Sequence, residues 1–344
     1  MGTVFVISSG WLITALFGVL AAVLSVISVL GSRRLTGVLC GNLVLATAIL
    51  IIGGCGSSSS GVQNLYVADS TGSVSMFPLN ANGNVAPSKS IVGSTTGLNE
   101  PLGVALDSSG NIYVANGGAG QPGGNVAIFA ANASGPATPT AVITGVEPSG
   151  IALDAHGNIY VADLSNSVKV YAPGSNGSAT PIAAITGANT GLNDPSTIAL
   201  DASGNVYVCN DLPDSLNVYP AGANGNITPS AIISGSNTGL SSPNGVALDA
   251  HGNIYVTNGN SNSITVYAAG TNGNVSPTTT ISGTNTGLFT PMGAALDSRG
   301  NLYVTNDGDS VLAYAAGANG NVSPNATIRG ANTTFLALRG LAVH

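Results

Sequence analysis

From residue 62 onward the chain alternates short apolar runs with clusters of Gly, Asn, Ser and Thr. The stretch ALDAHGNIYVTNGNSNSITVYAAGTNGNV (247–275) shows the pattern. Four short runs make one unit: GVALD (Gly245–Asp249, strand a), NIYVTN (Asn253–Asn258, strand b), SITVYA (Ser263–Ala268, strand c) and VSPTTTISG (Val275–Gly283, strand d). Period-2 alternation, β-branched residues and Tyr predict strands. DAHGN and TNGN predict tight turns, because Asn and Gly accept the positive φ that such turns need. No amphipathic helical period follows Cys55.

The unit repeats. Its strand-b Tyr falls at Tyr66, Tyr113, Tyr160, Tyr207, Tyr255 and Tyr303, in steps of 47, 47, 47, 48 and 48. Four strands in each of six copies predict an all-β fold, a six-bladed β-propeller of four-stranded blades. The first copy opens at strand b (VQNLYVADS) and the last residues (RGLAVH) match strand a. The first blade is therefore expected to be completed by the C-terminal strand, which leaves no open sheet edge.

The first 60 residues read differently. Trp11–Gly31 is apolar and long enough to cross a bilayer. Arg33 and Arg34 follow, then a second apolar run that ends at Cys55, then GSSSSG. Basic residues, an apolar core and small residues before a cut form an export signal. Ile52-Gly53-Gly54-Cys55 resembles the bacterial lipobox, which implies lipidation at Cys55. The expected organisation is a transmembrane or lipoprotein signal region with helical segments (1–54), a Ser/Gly tether (55–61) and the propeller (62–344). The expected location is the cell envelope, outside the cytoplasm and membrane-anchored through a lipid or an N-terminal helix.

Charge narrows the partners. Charged residues make up 6% of the chain, and the part after residue 54 holds five basic against fourteen acidic residues. An acidic surface argues against nucleic acid, which needs a basic face. The three cysteines (Cys40, Cys55, Cys209) form no C-x-x-C pair and predict no disulfide framework. A monomer is expected.

Three residue sets are candidates for chemistry. The Asp that closes strand a (Asp107, Asp154, Asp201, Asp249, Asp297, with His344 sixth) begins D-x-x-G-N, where a carboxylate caps the turn. His156 and His251 are spacers in those turns, with no Ser or Cys to pair with. The second set ends strand b: Asp69, Asn116, Asp163, Asn210, Asn258 and Asn306. It either starts the b–c turn or contributes to a rim shared by the b–c and d–a loops. The third set precedes the Pro of strand a: Glu100, Glu147 and Asp194, then Ser242 and Thr290. Three carboxylates on one rim could hold Ca²⁺, although a solvated acidic rim is the simpler reading and no cofactor is otherwise expected. Length variation also falls on this rim. The b–c loop Asn116–Val126 spans ten steps against five for Asp163–Val168. Loops on a rigid frame are where binding sites lie.

The motif P-x-G-V-A-L-D-x-x-G-N-I-Y-V-x-N resembles NHL-type six-bladed propeller repeats, and YVTN (Tyr255–Asn258, Tyr303–Asn306) is similar to the YVTN-type secreted propellers. The resemblance covers nearly everything after the tether and implies fold more than function. Propellers similar to gluconolactonases hold a metal through Glu, Asn and Asp near the channel mouth, but their motif has no match here. The expected function is a binding propeller for a glycan, peptide or protein. The alternatives are a metal-dependent lactonase-like hydrolase at the channel mouth, or a structural envelope protein.

Overall fold

A computed structural model describes residues 63–118, 123–307 and 309–344. The export segment, the tether and Cys55 lie outside the described residues. The described chain forms six antiparallel four-stranded sheets. Blade 1 runs, from the channel outward, Leu338–Val343, Asn64–Asp69, Ser73–Pro78 and Lys89–Val92. The other five are in chain order, with innermost strands at Pro101–Leu106, Pro148–Leu153, Pro195–Leu200, Pro243–Leu248 and Pro291–Leu296. The ring closes as expected: Leu65 pairs with Val343 and Val67 with Leu341. A single 3₁₀ turn, Ala331–Thr333, is the one helical element among the described residues.

Burial follows position within the blade. Strand b is covered on both faces, so Val206–Asn210 is buried throughout. A sheet sandwiched between two others reads as a continuous apolar run rather than an alternating one. Strand d is covered on one face only, and Thr279–Ser282 buries Ile281 alone. Two boundaries differ from the sequence expectation by more than one residue. Strand a begins two residues early, at Pro243, with a bulge before Gly245. Strand d begins late, at Thr279, because Val275–Pro277 remains in the loop.

The NGN segments do more than turn the chain. Each c–d loop reaches the outer strand of the preceding blade, and its Gly forms a parallel bridge there: Gly225 to Ile185, Gly273 to Ile233, Gly320 to Ile281, and Gly83 to Ile328 across the closure. The flanking Asn residues hold the same neighbour. Asn272 accepts from the Ile232 N–H at 2.9 Å, and Asn274 from the Asn237 N–H at 2.8 Å. Gly235, at φ 113°, is what lets Asn274 approach; a Cβ there would lie 2.6 Å from that side chain. The clips cover part of each outer edge and fasten every blade to the next. Between blades 1 and 2 the clip is Ser134-Gly135-Pro136, which keeps the Gly135–Ile91 bridge and lacks both Asn acceptors.

Candidate functional site

Because strand a starts and strand b ends at the same level, the d–a links and b–c turns share one rim, here the upper one. The a–b and c–d turns form the lower rim.

On the lower rim the Asp of D-x-x-G-N serves its own turn. In blade 4, Asp201 accepts from the Ser203 and Asn205 N–H groups at 2.9 Å each and from Asn205 Nδ2 at 2.7 Å. Burial alone would push this carboxyl up. The donors outweigh it and hold Asp107, Asp201 and Asp249 below the ordinary carboxylate range. His156 and His251 are exposed in these turns.

On the upper rim, the residues that end strand b are all buried. Asn210 Oδ1 accepts from the Asn193 N–H at 3.1 Å, Asn258 from Ser241 at 3.1 Å, Asn306 from Phe289 at 3.0 Å, and Asn116 from Asn99 at 3.4 Å. Asp69 accepts from Leu336 at 2.8 Å, and Asp163 from Glu147 at 3.0 Å. These side chains pin the d–a links to their blades. Asp163 is also paired with Lys169 at 2.8 Å. Burial opposes its charge, but Lys169 and Ser165 overcome that and lower its pKa. Cys209, next to Asn210, is fully buried, and burial pushes its thiol up.

Glu147 and Asp194 project into solvent and Glu100 is half-buried beside Leu102 and Gly117. Glu100, Asp194, Ser242 and Thr290 take positive φ, while Glu147, on the shortest link, does not. The link N–H of Asp194 is held by Asn166, that of Ser242 by Asp214 and that of Thr290 by Asn262. Glu100, Glu147 and Asp194 therefore occupy equivalent places in three consecutive links without converging. Among the described residues no three His, Cys, Asp or Glu side chains come together as a metal-ligating group.

The channel itself has a volume of about 660 Å³. Its wall carries the alanines of strand a, such as Ala105, Ala152 and Ala199, and is otherwise mostly aliphatic. The upper mouth is ringed by the second residue of strand a, which follows a Pro in five blades and Leu338 in the first: Leu102, Ser149, Ser196, Asn244, Met292 and Arg339. Three of them link neighbouring blades. Ser149 donates to the Pro195 carbonyl, Ser196 to Pro243 at 2.6 Å and Asn244 to Pro291 at 3.3 Å. The next position holds the strands together by close approach. A Cβ on Gly245 would lie 2.3 Å from the Met292 carbonyl oxygen. This mouth ring was missed from sequence, although its signal is present: within P-x-G-V-A-L-D the x is the position whose chemistry changes from copy to copy. The ring contains no carboxylate and one guanidinium, so its donor set does not fit the divalent cation that the gluconolactonase resemblance implies.

Nine of the fourteen acidic residues lie on the upper rim. Besides the two buried strand-b ends and the three link carboxylates, the b–c turns carry Asp211, Asp214, Asp307 and Asp309. Four large exposed apolar side chains share this rim: Leu164 (46% exposed), Leu212 (58%), Phe289 (59%) and Leu336 (68%).

No curated protein matches the sequence. In fold the chain is similar to a protein of unknown function from Bacteroides caccae, with a TM-score of 0.62 at 12% identity over 82% of this chain and 99% of that one. The family described as SMP-30/Gluconolactonase/LRE-like region matches residues 138–343, more than half of the sequence. With six clipped four-stranded blades around an open channel, the chain belongs to the SMP-30/gluconolactonase/LRE-like family.

Proposed function

We propose that this is a binding propeller, carried outside the cytoplasm on an envelope anchor, whose upper rim takes a peptide or protein segment rich in basic and apolar residues. The observation that carries the reading is the sorting of the surface: the rim whose loops vary in length combines Glu100, Glu147, Asp194 and the turn aspartates with Leu164, Leu212, Phe289 and Leu336. Paired acidic and apolar surface complements a segment with Lys or Arg beside aliphatic side chains. A glycan is less well served, because sugar stacking favours aromatic rings and the rim offers one Phe among aliphatic residues. Lactone hydrolysis is a possibility at the level of the family; the mouth ring does not supply its metal donors.

The test is fluorescence anisotropy with a labelled decapeptide of Lys and Leu, and a Glu and Leu decapeptide as control. Only the basic peptide should bind, more weakly as salt rises. The triple variant Glu100→Gln, Glu147→Gln, Asp194→Asn should weaken it at least tenfold. Equal binding of the two peptides would overturn the reading.

A further inference from the structure

We infer that the channel mouth takes a carboxylate end group on Arg339, and that in the partner segment this is a free C-terminal carboxylate; the second half rests on the peptide reading above. Arg339 is, among the described residues, the one charged side chain that lines the channel. The one hydrogen bond that its guanidinium makes among the described residues runs from Nη1 to the Leu338 carbonyl, at 3.4 Å. Among the described residues the ion pairs are Lys169 with Asp163 and the looser His156 with Asp154, so no carboxylate neutralises Arg339. A half-buried guanidinium with most of its five donors unused is suited to bidentate capture of a carboxylate.

The rest of the ring defines what accompanies the carboxylate. The hydrogens of Ser149, Ser196 and the Asn244 amide go to neighbouring-blade groups, which leaves their oxygens as acceptors. A ligand there supplies N–H or O–H donors, as the last peptide group of a chain does. Leu102 and Met292 come from the blades on either side of Arg339 and give the terminal side chain an apolar flank. The cavity, about 660 Å³, falls within the roughly 300–1,000 Å³ of small-ligand sites. A phosphate dianion is disfavoured, because the acids of the surrounding rim repel its second charge.

The experiment compares the Lys and Leu decapeptide as free acid and as C-terminal amide, with N-acetylglycine as a small carboxylate probe. Binding is read by anisotropy and by the Arg339 side-chain NMR resonances. In the parent protein the amide should bind at least tenfold more weakly than the acid. Arg339→Gln should bind both forms alike, at the amide's affinity, and Arg339→Lys should restore part of the preference. Arg339→Gln should melt like the parent, since Thr305 holds the backbone carbonyl of Arg339 rather than its side chain. Equal binding of acid and amide to the parent, or a preference that survives Arg339→Gln, overturns the mouth inference and leaves the rim reading intact. If neither peptide form binds but N-acetylglycine moves the Arg339 resonances, the rim reading falls and the carboxylate site stands. If no probe binds, both fall.

Discussion

The two rims differ in how fully the fold uses their aspartates. On the lower rim each D-x-x-G-N carboxylate is surrounded by its own turn, and Asp201 accepts three hydrogen bonds within four residues. On the upper rim Asp309 has a buried oxygen with no partner, and burial together with Asp69 and Asp307 raises its pKa despite Arg329. Asn166 and Asn262, its counterparts in other blades, cap the next link instead. One rim is therefore built for the fold and tolerates little. The other uses Asp69, Asp163 and Asp214 for the fold but also retains charge that the fold leaves unused, at Asp309 and at the exposed Glu147 and Asp194.

The largest disturbance should come from the closure that both rims depend on. Removing residues 338–344 deletes Leu338 and Leu341, both buried, and exposes the edge of Asn64–Asp69. By the range for large-to-small changes this costs at least about 4 kcal/mol, against a total stability of about 5–15 kcal/mol. The variant should melt far earlier or aggregate, as read by calorimetry and light scattering. An unchanged melting temperature would show that the ring does not depend on this strand.

Next in size is the clip. Gly235→Ala places a Cβ against Asn274 at a positive φ and should destabilise by about 2–3 kcal/mol. Gly222→Ala, also at positive φ but in open space, should cost only about 1 kcal/mol. Equal losses in denaturant titrations would mean that the clip contact contributes nothing.

The same Asp→Asn change should then have opposite signs on the two rims. Asp201→Asn turns an acceptor toward Asn205 Nδ2 into a donor and should cost about 1–2 kcal/mol at neutral pH. Asp309→Asn removes a charge that the fold disfavours and should stabilise slightly, since solvent screens much of the penalty. The pH dependence follows. A lowered folded pKa, as at Asp107, Asp163, Asp201 and Asp249, contributes stability above the ordinary carboxylate pKa that is lost as pH falls below about 4. A raised one, as at Asp309, works in reverse, so the advantage of Asp309→Asn should vanish below about pH 4. Melting temperatures of both variants from pH 3 to 7 measure this, and shifts of the same sign would end the contrast.

The smallest effect is expected where function is proposed. Glu147→Gln should leave stability within about 0.5 kcal/mol, because its side chain is exposed and only its backbone groups are held. A larger loss would make Glu147 a structural residue.

Much of this was legible in the sequence. The Tyr66-to-Tyr303 spacing carries the blade count, and the unmatched strand a at Gly340–Val343 carries the closure. The Asp turn caps are local chemistry, visible in five residues. What was not legible depends on which copies become neighbours. Asn272-Gly273-Asn274 reads as a tight turn until Ile232 and Asn237 of the preceding blade are brought against it. Asn258 reads as a turn starter until the link N–H of Ser241 meets it. Leu102, Ser149, Ser196, Asn244, Met292 and Arg339 read as scatter at one repeat position until six strands bring them to a single opening.

The direction of the clips carries a further consequence, for the order in which the molecule can be completed. Blades 1 to 5 are each gripped by the c–d loop of the blade after them, so each is fastened by chain that is synthesised later; blade 6 is gripped by the earlier Gly83. Blade 1 is the extreme case: Asn64–Asp69 emerges first and waits for Leu338–Val343 as its inner neighbour. Until that strand arrives the earliest strands keep an unpaired apolar edge, with Leu65 and Val67 uncovered. This makes the first blade the part of the ring most open to wrong edge pairing until the closing strand is in place.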